Sequence, residues 1–149
     1  MNAWTLRMIL GLAILFFFSA VHYIEAAEWI FYGETRSGHL YYDNISIKNN
    51  GDIARVRTMA IFNDDGKIEL ASALRKIGKA SGNLDLLSHS ITLEEVDCVN
   101  KKLKISTMTI FNEKGGSIHS PVIKSDEWDN IIPETNGDIL WTIVCRGSK

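Results

Sequence analysis

Along most of this chain apolar and polar residues alternate with a period of two, and one stretch shifts to the three-to-four-residue spacing of a helix. The clearest alternation runs from Ala54 to Phe62. Ala54, Val56, Ala60 and Phe62 share one parity while Arg55 and Arg57 take the other, as in a strand with one face in the core and one in water. Ahead of it, the aromatic-rich runs Glu28 to Gly33 and His39 to Asp43 flank the turn-prone Thr35-Arg36-Ser37-Gly38 and read as a hairpin. A short extended piece, Ile45 to Lys48, leads into the polar Asn49-Asn50-Gly51-Asp52. After Asn63-Asp64-Asp65-Gly66, read as a turn, Ile68, Ala71, Leu74 and Ile77 recur at three-residue steps among good helix formers. They predict one amphipathic helix over about residues 67–80, weakened at Gly78 and ended by Ser81-Gly82-Asn83.

Strand-like runs then resume at Ser90 to Asp97, turn at Val99-Asn100-Lys101, and continue through Lys102 to Phe111 and Ser117 to Lys124. Within the Lys102 run the apolar parity switches from Leu103 and Ile105 to Met108 and Ile110, so a bulge is expected near Ser106-Thr107, or burial on both faces. Ser125 to Asp138 is irregular, and Trp128, Ile131, Ile132 and Pro133 tie it to the body of the domain. Ile139 to Cys145 reads as a final, central strand. These elements predict an α+β fold: a single antiparallel sheet of about six strands with one helix packed on it.

The N-terminus differs in kind. Arg7 supplies positive charge, Met8 to Val21 is an apolar run and Ala26-Ala27 is a small pair, which is the layout of a secretory signal peptide over residues 1–27, cut after Ala26 or Ala27. An uncleaved anchor is the competing reading, but the run falls short of the roughly 20 residues that cross a bilayer as a helix. No cysteine follows the run, so no lipid anchor is expected, and the destination is the periplasm, the medium or the cell surface. Residues 28–149 remain as one domain of a length that buries a core without help from a cofactor. Cys98 and Cys145 then reach an oxidising compartment, where their single intramolecular pairing is a structural disulfide worth about 4 kcal/mol in chain entropy.

A formal net charge of -2 gives the chain no electrostatic reason to seek nucleic acid or anionic lipid. The densest positive cluster, Lys101-Lys102-Lys104, is balanced by nearby Glu94, Glu95 and Asp97. His39, His89 and His119 stand alone without metal-ligand spacing, and no nucleophile elbow, P-loop or dinucleotide fingerprint occurs. No catalytic residue, metal or cofactor is expected. Glu95 and Asp97 lie two apart on one strand face, as an acid/base pair would. Arg55 and Arg57 have the same spacing, and if their strands are neighbours the four side chains form a cross-strand ionic ladder, which is the favoured reading.

Aromatic residues are the remaining candidates, with Trp29, Phe31, Tyr32, Tyr41 and Tyr42 in the first hairpin and Trp128 and Trp141 near the end, and core packing is the expected role of most of them. Alternation prevents Tyr41 and Tyr42 from sharing one core face, so one of them is exposed or covered by a second element, and an exposed aromatic in a rigid hairpin is a common interface anchor. Tyr41, Tyr42, Trp128, Arg55 and Arg57 form the candidate binding surface.

The succession Trp29 to Gly33, Tyr41-Tyr42-Asp43 with Ile45 and Ser46, Arg55-Val56-Arg57, Glu95-Val96-Asp97-Cys98, Trp128 with Ile132-Pro133 and a closing Cys145 resembles the surface-adhesin protein E family of bacterial envelope proteins. The resemblance implies an exported protein with an antiparallel sheet and an associated helix, a disulfide at the two matching cysteines, and a tendency to form homodimers. Characterised members bind host matrix and serum proteins. Two features depart from the family: no cysteine is placed to carry a lipid, and Thr58-Met59 stands where an aromatic is common. The expected function is that of a non-enzymatic binding protein for a protein or surface ligand. The alternative is a periplasmic small-ligand-binding or envelope housekeeping domain on the same scaffold.

Overall fold

A computed structural model describes residues 26–79, 86–123 and 126–147. The signal segment expected over residues 1–27, all but its last two residues, lies outside this range. So does the helix terminator expected at Ser81-Gly82-Asn83.

The alternating segments form one antiparallel sheet. Its strands are β1 (Trp29–Thr35), β2 (Gly38–Asp43), β3 (Lys48–Asn50), β4 (Ile53–Phe62), β5 (Leu87–Asp97), β6 (Lys102–Asn112), β7 (Ser117–His119) and β8 (Asp129–Asn130). The spatial order is β1-β2-β4-β5-β6-β7; β3 pairs with β4, and β8 with β6. The count therefore rises from about six strands to eight, because the short pieces β3 and β8 complete edges that β2 and β7 leave open. Thr107 stands opposite Leu93 and Ile105 opposite Glu94, so Ser106 is the extra residue where the parity switch called for a bulge.

Helix α1 (Asp64–Lys76) begins three residues earlier than its hydrophobic stripe indicates. The stretch read as a turn is its cap: the Asn63 side chain accepts from the Gly66 N–H at 2.9 Å, and Asp64 and Asp65 lie at the positive end of the helix dipole. An ideal Cβ at Gly66 would stand 2.0 Å from the Ser37 carbonyl oxygen, so only glycine lets the helix start against the β1–β2 turn. The helix ends at a left-handed Gly78 (φ 72), whose N–H donates to the Arg75 carbonyl while Lys79 donates to Leu74. The buried stripe is shorter than expected, since Ala71 and Leu74 are buried but Ile68 and Ile77 are exposed.

The C-terminal segment departs from the expected strand. Ile139 to Cys145 is not a central strand but lies within a second helix, α2 (Asn136–Arg146). Its β-branched residues imitate a doubly covered strand, and a short apolar run has too little length for its period to decide. The buried set Leu140, Trp141 and Val144 has helical spacing. Thr135 and Asp138, three apart, were the missed start signal. The Cys98–Cys145 disulfide fastens this helix to the end of β5, with Cα atoms 5.5 Å apart across a sequence separation of 47. Beside it the Trp141 Nε1–H donates to the Cys98 carbonyl at 3.2 Å, and Lys101 Nζ lies 4.1 Å from the Trp141 ring centroid.

Both helices lie on one side of the sheet. Ala54, Val56 and Val96 pack with Leu140, Trp141 and Val144 of α2; Leu87, Ile110 and Phe62 pack with Ala71 and Leu74 of α1. Cross-strand pairs join these residues on a common face, for example Ala54 with Val96 and Ser90 with Ile110. Burying each large aliphatic chain of this set contributes roughly 1.5–3 kcal/mol.

Candidate functional site

The other parity of the same strands carries no helix among the described residues. Phe31, Tyr41, Met59, Ile91 and Thr109 stand opposite one another across β1, β2, β4, β5 and β6, and His39, Ile61, His89 and Phe111 make a second row. Phe31 is 50% exposed, and its ring meets that of Tyr41 edge-on at 5.7 Å. His89 stacks on Phe111 at 5.0 Å, and burial there lowers its pKa. These rows make an apolar band on an open sheet face, bordered at one end by charge.

That border is another cross-strand row, Lys48, Arg55, Glu95 and Lys104. Arg55 donates from Nε and Nη2 to Glu95 Oε1, each at 2.9 Å, while Lys104 Nζ lies 3.1 Å from Glu95 Oε2. Lys104 also reaches Trp128, its Nζ 5.0 Å from the ring centroid. Arg57 pairs with Asp43, a fully buried carboxylate that also accepts from the Glu28 and Ile45 N–H groups at 3.0 and 3.2 Å. The Arg57 backbone N–H donates to Ser46 Oγ at 2.8 Å. Between these groups lies a shallow depression of about 510 Å³, lined by Ile45, Ser46, Lys48, Arg55, Arg57 and Leu93.

Adjacent glutamates show what each face does to a charge. Glu95 is partly buried, which alone would raise its pKa, but Lys104 and Arg55 outweigh burial and hold it below the usual range. Glu94 points into the covered face, where burial pushes its pKa up and a hydrogen bond from Thr58 opposes this in part. Burial, and then the Glu94 charge, raise the Tyr32 phenol on the same side.

The sequence-predicted site is therefore divided. Tyr41, Arg55 and Arg57 share the open face, and Trp128 joins its rim through Lys104. Tyr42 turns to the covered side and packs against the α2 core cluster, its ring 6.2 Å from that of Tyr32. The ionic ladder forms through Arg55 and Glu95, with Lys104 in place of Arg57. Asp97 leaves the ladder: its carboxylate accepts from the Asn100 side-chain amide at 2.9 Å and from the Asn100 and Val99 N–H groups at 2.8 and 3.0 Å and shapes the β5–β6 turn, contacts that lower its pKa. Met59 and Lys48 were missed, and Phe31, one of the hairpin aromatics, was left out of the expected binding surface. Phe31 follows from hairpin register, since pairing Trp29 with Asp43 sets it opposite Tyr41; Lys48 follows only from the pairing of β3.

Among the described residues no three His, Cys, Asp or Glu side chains gather into a possible metal site, and no helix is long and apolar enough to cross a membrane. The family model described as surface-adhesin protein E matches residues 29–146. The solved structure of crystal form II of Haemophilus influenzae protein E is similar at 13% sequence identity and a TM-score of 0.48, covering 72% of this chain and 80% of that one. No curated protein matches the chain in sequence.

Proposed function

The chain belongs to the surface-adhesin protein E family, and on that premise we propose that it is an exported, non-enzymatic binding protein that meets a protein or surface ligand through the open face of its sheet. The observation that carries this reading is the asymmetry of the sheet: both helices pack on one side, and the other side keeps an apolar band with half-exposed Phe31. A contiguous apolar patch rimmed by charge is what a soluble domain reserves for a partner. Aromatics held rigidly in a hairpin supply anchors at little entropic cost. Export follows from the segment over residues 1–27, removed after Ala26 or Ala27.

The test is capture by the purified protein of immobilised host matrix proteins and of the producing cell's own envelope extract, compared with a Phe31→Ala, Tyr41→Ala variant. Capture by the protein and loss in the variant at an unchanged melting temperature support the reading. Equal capture by both moves the interface elsewhere. Labelling of the protein on intact cells separates the adhesive role from the periplasmic one, which strict retention inside the envelope would favour.

A further inference from the structure

We propose that the depression formed by Ser46, Lys48, Arg55, Arg57 and Leu93 is an anion seat that holds the carboxylates of an acidic protein segment lying on the open face; this rests on the reading of that face as the interface. The ion pairs here are built with their negative members inside. Asp43 is fully buried and the Glu95 side chain is 12% exposed, whereas the Arg55 and Arg57 side chains are 58% and 48% exposed. The surface presented to a partner is therefore positive, on a chain whose formal net charge is -2.

The cations also have bonding capacity to spare. A guanidinium carries five N–H donors. Arg55 uses Nε and Nη2 on Glu95 and Arg57 uses Nη2 on Asp43, and among the described residues Lys48 forms no ion pair. Leu93 makes the depression continuous with the apolar band, since it stands opposite Arg57 and next along β5 on this face from Ile91.

The occupant must then offer carboxylates and apolar side chains together. A sulfated polysaccharide would satisfy the cations and leave the apolar rows bare. An extended peptide fits both demands. Its alternate residues recur about 7 Å apart, the same repeat that separates Arg55 from Arg57 along β4.

The test is fluorescence anisotropy of a labelled peptide of alternating Glu and Leu against the full-length protein, with Lys48→Glu, Arg55→Gln as the disabling variant. Arg57 is left intact because its removal would strand buried Asp43, while Glu95 keeps Lys104 when Arg55 is replaced. Expected results are binding that weakens steeply with added salt, at least a tenfold loss in the double variant at an unchanged melting temperature, and recovery of most of that loss with Arg55→Lys. A peptide with Lys in place of Glu should not bind. Undiminished binding by the double variant, alongside loss in Tyr41→Ala, would retire the anion seat and leave the open-face interface standing. No effect from either change would retire both. Heparin fragments or phosphatidylglycerol vesicles binding where the peptide does not, or a dimer in sedimentation that the double variant splits, would assign the seat to another occupant and overturn the proposal.

Discussion

The two faces of this sheet are made by the same strands, residue by alternate residue, yet they treat identical chemistry in opposite ways. Glu94 and Glu95 are neighbours; burial raises the pKa of the first, and Lys104 and Arg55 lower that of the second. Tyr42 belongs to the α2 core while Tyr41 lies on the side without a helix. On the covered side small residues, Ala54 and Val56, let a helix approach; on the open side long ones, Arg55, Arg57 and Met59, occupy the matching positions. The covered face supplies stability and the proposed contact belongs to the open face, so damage to either should leave a distinct signature.

The largest break in this contrast is expected from Cys98→Ser. The bridge holds α2 on the covered face, and its loss should cost about 4 kcal/mol, measured by urea denaturation. An unchanged transition under reductant would mean that the bridge does not form. Leu140→Ala, at a 1% exposed position on the buried side of the same helix, should cost about 3 kcal/mol by opening a cavity.

A pH series sharpens the comparison further. Because burial raises Glu94 above its ordinary 4.5, the unfolded chain releases that proton first, and stability should fall as pH climbs from about 4.5 through the raised folded value. Glu95 acts in the opposite sense at lower pH: its contribution is present above its ordinary value and is lost as pH drops through the depressed one. Glu94→Gln should therefore abolish the decline on the alkaline side and leave the acid limb intact, read as unfolding free energy between about pH 2 and 8. A parallel decline in the variant would place its origin elsewhere. The smallest stability effect belongs to Arg55→Gln, within about 1 kcal/mol for an exposed ion pair whose carboxylate keeps Lys104.

Local order in the sequence decided how much of this was legible. The first hairpin, β4 and the bulge at Ser106 all follow from period-two patterning and turn residues, and the disulfide follows from two cysteines in an exported chain. The closing helix did not, because β-branched Ile139, Thr142, Ile143 and Val144 read equally well as strand until α2 docks beneath the bridge. The site was half legible for the same reason. Alternation separates Tyr41 from Tyr42 without saying which of them the helices cover. Arg57 found Asp43 rather than a β5 carboxylate because β2 flanks β4 on the other edge, a matter of strand order.

The adjacent pair Tyr41→Ala and Tyr42→Ala separates the two faces in one measurement, each variant assayed for thermal unfolding and for capture of the matrix or envelope ligand. Tyr41→Ala should abolish capture while melting within a few degrees of the unaltered protein; Tyr42→Ala should melt markedly earlier and, at temperatures where it remains folded, bind as before. The reverse pattern, with binding lost at Tyr42 and stability lost at Tyr41, would contradict the assignment of contact to the open face.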